Sequence, residues 1–192
     1  MIEVNKLTKA FGGKTVLNNV SFSVADRGVY AVVGKSGIGK TTLLRLIAGL
    51  DTPDSGTIVT NNLKIAYKFQ EPRLMKWLTA LENVSVVIED KADAEKIALA
   101  WLKKVDLAEA SSLFPDQLSG GMQQRIALAR ALAFDGDLLL LDEPFSAVDE
   151  ETKHALLSLV KQYAEDHIVI LVTHDPSEIE ALNASVIPLW NE

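Results

Sequence analysis

The stretch Val29-Tyr30-Ala31-Val32-Val33-Gly34-Lys35-Ser36-Gly37-Ile38-Gly39-Lys40-Thr41 decides the fold. Its first five residues form an unbroken apolar run, which reads as a strand buried on both faces, as in a parallel sheet. Gly34 to Thr41 then fits the phosphate-loop pattern GxxxxGK[ST]. From Thr41 to Leu50 a helix is predicted, with Leu43, Leu44, Ile47 and Ala48 on one side and Gly49 near its end. Strand, glycine-rich loop and helix in this order are the context the pattern requires. The glycines let backbone N–H groups turn inward around phosphate oxygens. The helix start adds its partial positive charge. Lys40 would reach the β- and γ-phosphates, the Thr41 hydroxyl would ligate Mg²⁺, and Thr42 adds a contact.

Moving outward, Val20, Phe22 and Val24 alternate with Asn19, Ser21 and Ser23, and Ile2, Val4 and Leu7 have polar neighbours. With Gly12-Gly13 as the turn, they predict a small antiparallel β element ahead of the loop. Asp51 to Gly56 reads as a turn cluster, and Ile65 to Phe69 alternates again. Leu74 to Leu113 has a mostly helical pattern, with Ile97, Ala98, Trp101, Leu102 and Val105 on one face. Ser119 is the expected cap of a further helix running to about Ala133. The sheet pattern returns at Leu138–Leu141 and Ile168–Val172, with helical patterns at Ala155–Tyr163 and Pro176–Leu182 and an edge strand expected at Val186–Trp190. Strands alternating with helices imply an α/β fold with a parallel sheet and a helical insertion at about residues 74–132.

Composition bounds what such a chain does. Its 192 residues are about one domain's length. With 48% hydrophobic and 23% charged residues it is ordinary globular protein, and its net charge of -7 disfavours a broad nucleic-acid surface. Zero cysteines exclude disulfides and thiolate chemistry. The longest apolar run, Ile97–Leu102, is far short of the ~20 residues of a membrane helix. The N-terminus lacks a signal-peptide pattern, so a soluble, cytoplasmic chain is expected.

Two further segments carry chemistry. Leu138–Leu141 ends in Asp142-Glu143, carboxylates delivered at the C-terminal end of a strand, where α/β sheets bind ligands. Asp142 suits Mg²⁺ and Glu143 could polarise a water. Leu118-Ser119-Gly120-Gly121-Met122-Gln123-Gln124-Arg125 opens a helix and could form a second anion site. On the residues alone it is equally a capped helix after a tight turn.

LSGGMQQR resembles the signature motif of the ABC (ATP-binding cassette) ATPases, and five further motifs follow that family's order. GKSGIGKTT at 34–42 matches Walker A, Gln70 the Q-loop glutamine, and LLLLDEP at 138–144 Walker B. Ser146-Ala147-Val148-Asp149 is similar to the D-loop and Thr173-His174-Asp175 to the H-loop. Phe11 falls where the family stacks an aromatic on adenine. The resemblance implies a P-loop NTPase core, an N-terminal antiparallel β subdomain and an inserted α-helical subdomain in one domain spanning 1–192. It implies ATP and Mg²⁺ at the interface of a head-to-tail dimer with a second copy. Gly34, Ser36, Gly37, Gly39, Lys40, Thr41 and Thr42 would hold ATP from one copy, and Ser119, Gly120 and Gly121 from the other. Asp142, Thr41 and Gln70 would face the metal, Glu143 would be the base, His174 would contact the γ-phosphate and the attacking water, and Asp149 would communicate across the interface.

Gln70 to Val84 resembles the nitrate/sulfonate/taurine import subfamily, although Lys76 stands where that pattern often has proline. This implies a transmembrane permease as partner, with Trp77 and Met75 either contacting it or packing in the core. It also implies an indirect link to a periplasmic or surface substrate-binding protein, and a place on the inner face of the membrane. The rival class is a soluble ABC ATPase of DNA repair or translation. Those resemble fused cassettes or carry coiled coils or zinc modules, for which this sequence has no pattern. Phe11 replaces the commoner tyrosine and Val148 a leucine. The stretch from Gly56 to Gln70 is short, so a strand or hairpin of the β region is expected to be trimmed. Few residues follow His174, and no C-terminal regulatory domain is expected. Arg125 is expected to pair structurally, and His154 and His167 to lie on the surface.

Overall fold

A computed structural model describes residues 1–25 and 27–189. Its centre is a five-stranded parallel sheet of order β5-β6-β7-β3-β8. Here β3 is Gly28–Val33, β5 Ile65–Lys68, β6 Leu138–Asp142, β7 Ile168–Val172 and β8 Ser185–Pro188. The inner strands β6 and β7 are buried at every residue, as their continuous apolar runs require. Beside this sheet lies a three-stranded antiparallel one of order β2-β1-β4, made of β1 Ile2–Phe11, β2 Lys14–Val24 and β4 Ser55–Val59. Gly12 and Gly13, both at positive φ, turn β1 into β2.

Strand parity divides the core. Val32, Leu138, Leu140, Ile168, Ile170 and Val172 face helix α1 (Lys40–Ile47) and the antiparallel sheet. Val29, Ala31, Leu139, Leu141, Val169 and Leu171 face the opposite way. There they meet α4 (Gly120–Ala133) and α5 (Glu150–Tyr163), with α2 (Ala80–Ser85) and α3 (Ala94–Lys104) packed beyond them. The last helix, α6, is Pro176–Ala181. Among the described residues no helix is long and apolar enough to cross a membrane.

Three expectations need revision. The turn at Asp51–Gly56 gives way at Ser55 to β4, which pairs with β1 from Glu3↔Val59 to Thr8↔Ser55. Within this strand only Ile58 is even partly buried, so no alternation marks it in the sequence. Between Leu74 and Leu113 only α2 and α3 are α-helical. Asn83 organises the chain before α2: its amide donates to the carbonyls of Met75, Leu78 and Thr79, and its Oδ1 accepts from the Met75 N–H. The edge strand is β8, which ends at Pro188, and Trp190 lies outside the described residues.

Candidate functional site

The parallel strands all end on one side of the sheet. Val32 is level with Val172, Val172 with Asp142, and Leu141 with Lys68. The loop after β3, the Asp142-Glu143 pair after β6, the Thr173-His174 turn after β7 and Gln70 beyond β5 are therefore neighbours, although the sequence scatters them.

The loop from Gly34 to Gly39 enters α1 through Gly39 at φ +108°, with no side chain capping the helix. A side chain at Gly39 would be strained by that φ and would stand 2.7 Å from Val16 Cγ1. Strand β2 thus holds the loop from behind. The leading N–H groups of α1 remain available to an anion. Lys40 Nζ bends back to donate to the carbonyls of Gly34 at 2.9 Å and Lys35 at 3.1 Å. It is poised across the loop rather than bound into the core.

Asp142 shares the parity of Leu138 and Leu140, so it points toward α1, where Thr41 is near enough to favour its ionised form. It is only 1% exposed. Burial pushes its carboxyl above the usual carboxylate range, and the Thr41 hydroxyl opposes that shift. Its Oδ1 has no hydrogen-bond partner. A buried carboxylate oxygen without a donor, beside a hydroxyl and a phosphate loop, fits a divalent cation with oxygen ligands. Among the described residues no group of three or more His, Cys, Asp and Glu could hold a metal. A cation here would rest on Thr41 and Asp142, with Gln70 near, and complete its shell from phosphate and water.

Glu143 takes positive φ, +45°, and its N–H donates to Val172 O at 3.0 Å. Its carbonyl accepts from Ser146 Oγ at 3.0 Å and Lys68 Nζ at 3.3 Å. This bend turns the carboxylate toward two side chains from other strands. Gln70 Nε2 donates to Glu143 Oε2 at 3.2 Å, and His174 Nδ1 lies 3.7 Å from Glu143 Oε1.

The glycine-rich segment lies elsewhere. Ser119 caps α4, its Oγ accepting from Met122 N at 3.2 Å. Gly120 has open space around it, while a Cβ on Gly121 would stand 2.7 Å from Ala147 O. Helix α4 is on the sheet face opposite α1. Phe11 is half-exposed at the end of β1, with Lys9 Nζ 5.2 Å from its ring. Asp149 caps α5 by accepting from Thr152 N at 2.9 Å, and this bond lowers its pKa.

Several residues that build the site have no role predicted from the sequence. Gln124 donates to Gln70 O at 2.9 Å, and Arg130 donates to the carbonyls of Pro72 and Arg73. Helix α4 is thereby tied to the segment after Gln70. Lys68, 1% exposed, lies beneath the Asp142-Glu143 backbone, and burial lowers its pKa to about 8. A lysine inside a short strand run was the available clue. Arg125 does pair structurally, donating to Val105 O at 3.0 Å. Trp77 is 74% exposed, which removes it from the core, whereas Met75 is half-buried. His154 is exposed, but His167 is half-buried and stacked on Tyr163.

Residues 17–146 match the family model described as ABC transporter. The chain is 41% identical over 193 residues to the aliphatic sulfonates import ATP-binding protein SsuB 1 of Burkholderia cenocepacia, covering 97% of this chain and 60% of that protein. It is 42% identical over 186 residues to the formylaminopyrimidine import ATP-binding protein ThiZ of Halalkalibacterium halodurans, covering 92% of this chain and 74% of that protein. The chain thus spans less than two thirds of the Burkholderia protein's length. Among solved structures it resembles the dimeric post-hydrolysis state of the ATP-binding cassette MJ0796 bound to ADP and Pi. That likeness has a TM-score of 0.87 at 32% identity, covering 98% of this chain and 94% of that one. With the phosphate loop, Gln70, Asp142-Glu143 and His174 gathered at the same ends of the parallel strands and the family match spanning its centre, the chain belongs to the ABC transporter family.

Proposed function

We propose that this chain is the ATP-binding and ATP-hydrolysing subunit of an importer for a small solute, working as a head-to-tail dimer with two ATP at the interface. The observation that carries the reading is the convergence of Gln70 and His174 on the Glu143 carboxylate, beside buried Asp142. The cassette is one domain over 1–192, with 74–132 as its helical insertion.

Lys40 exchanges its two carbonyl partners for phosphate oxygens, and the N–H groups of Gly34 to Thr42 wrap the same phosphates. Phe11 offers its exposed face to the adenine. Mg²⁺, when bound, neutralises phosphate charge, and Thr41 and Asp142, with Gln70, would hold it. Gln70 and His174 orient Glu143, which takes the proton from the attacking water as the water oxygen bonds to the γ-phosphorus and the β–γ P–O bond breaks, releasing ADP and inorganic phosphate. His174 also contacts the γ-phosphate. Little covalent chemistry is required, so positioning and charge supply the rate.

The two faces of the sheet support the dimer reading. With α1 and α4 on opposite faces, Ser119 lies away from the chain's own phosphate loop and is free to serve the ATP of the other copy. Gly120 and Gly121 leave the start of α4 bare for that phosphate, and Asp149 relays between copies. The relatives named for aliphatic sulfonates and for formylaminopyrimidine are alike in cassette, so cargo is chosen by the other subunits. Those are a transmembrane permease, contacted through exposed Trp77 and the half-buried Met75 segment, and a periplasmic or surface substrate-binding protein. The chain works on the cytoplasmic face of the membrane through the permease.

The test is phosphate release by the purified chain, alone and with the membrane protein it captures. Release that depends on Lys40, together with capture of a stoichiometric polytopic membrane protein, is the expected result. Release without any membrane partner would return the chain to the soluble ATPases, and no release in either setting would overturn the reading.

A further inference from the structure

His174 has a side chain 77% exposed, and its polar contact is the Glu143 carboxylate. Among the described residues, no other polar partner fixes the direction of the imidazole. The two residues flanking it are held firmly instead. Thr173, 3% exposed, donates through Oγ1 to Glu178 Oε2 at 2.5 Å and accepts from the Asp175 N–H at 3.0 Å. Asp175 Oδ1 accepts from the N–H and the hydroxyl of Ser177. The remaining oxygens converge on one cation: Lys153 Nζ lies 2.5 Å from Asp175 Oδ2 and 3.3 Å from Glu178 Oε1. Lys153 comes from the first turn of α5, one turn after its cap Asp149, and its side chain is 9% exposed.

We propose that Lys153 is a positioning residue for His174: its ammonium clamps Asp175 and Glu178 together and thereby holds the Thr173–Asp175 turn so that the imidazole faces Glu143. This rests on the reading of Glu143 and His174 as the hydrolytic pair. Buried ion pairs contribute little net stability compared with apolar residues of the same shape, because desolvation offsets their attraction. Geometry is what this one supplies. Each carboxylate uses its second oxygen on the turn, Asp175 on Ser177 and Glu178 on Thr173, so the ammonium orders both at once. The same lysine links the turn to the helix that begins at Asp149.

The test compares Lys153→Met, Lys153→Arg, His174→Ala and the double variant Lys153→Met with His174→Ala. Phosphate release and the imidazole resonances of the full chain are the two readouts. Lys153→Met should lower kcat by about tenfold or more while KM for ATP stays within about threefold, and Lys153→Arg should recover most of the rate. In the His174→Ala background, Lys153→Met should cost less than about twofold further, because both changes remove the same positioned group. The His174 imidazole resonance, identified by its loss in His174→Ala, should shift in Lys153→Met while that of His167 stays. Equal fold-losses with and without His174, or an unmoved His174 resonance, would overturn the proposal. A wild-type chain without ATPase would refute the hydrolytic reading, and the imidazole spectrum would still decide the clamp. Should Lys153→Met not fold, as judged by circular dichroism, Lys153→Gln carries the same comparison.

Discussion

Gln70 and Glu143 are 73 positions apart in the chain, yet the Gln70 amide donates to the Glu143 carboxylate at 3.2 Å. Parallel neighbours β5 and β6 bring them together, since Lys68 is level with Leu141 and both residues follow one strand end. The amide thus fixes one carboxylate oxygen through a tertiary contact, while the His174 imidazole stands 3.7 Å from the other oxygen, beyond hydrogen-bond distance.

Glu143→Gln keeps the shape of that side chain and removes its basicity. ATP hydrolysis should fall by about 100-fold or more, the range of a lost general base, while ATP still binds. Light scattering with ATP should show a persistent dimer. Wild-type turnover in the purified variant would remove Glu143 from the mechanism.

Lys40→Ala separates binding from stability. Among the described residues the hydrogen bonds of Lys40 go to loop carbonyls, which water can serve in its absence, so the melting midpoint should move little. ATP affinity should drop at least about tenfold, since charge-assisted hydrogen bonds to phosphate are lost. Calorimetric titration with ATP reads the effect, and undiminished affinity would count against the loop's role.

Asp142→Asn should have opposite effects with and without ligand. Burial disfavours the ionised carboxylate and its Oδ1 lacks a donor, so the neutral amide should stabilise the nucleotide-free chain by about 1 kcal/mol. The added melting shift from Mg²⁺ with ATP should vanish. Scanning fluorimetry with and without that pair checks both halves, and an unchanged ligand shift would refute the metal assignment.

Lys68 predicts a pH signature. Its pKa falls from 10.5 to about 8 on folding, a penalty of roughly 3 kcal/mol for the charged form. The unfolded chain binds the proton more tightly, so stability rises as pH climbs from 8 to 10.5. Below pH 8 the penalty is fully present. Lys68→Met removes it but also removes two long hydrogen bonds, at 3.3 and 3.4 Å, worth about 1 kcal/mol each. The variant should be about 1 kcal/mol more stable at pH 7 and should lack the rise. Urea melts across that range decide it, and a rise retained in Lys68→Met would assign the titration elsewhere.

The sequence by itself determined the inner layer and the chemistry. Val29–Val33, Leu138–Leu141 and Ile168–Val172 are apolar at every position because both their faces are buried, so they are legible without any partner. The loop at 34–41 is equally local: its glycines, lysine and threonine act where they stand. Strand β4 was hidden because a short edge strand that half-buries one side chain leaves no periodic trace. Trp77 could be core or surface on composition alone, and only packing turned it outward. What tertiary structure decided was who meets whom. Strand order brought Gln70 and His174 to Glu143. Sheet parity turned Asp142 toward Thr41 and put Ser119 on the far face. Burial shifted Lys68, and packing gathered Lys153, Asp175 and Glu178. Residue type and spacing encode what a side chain can do, but long-range hydrogen bonds and burial depend on chain crossings that no local window contains.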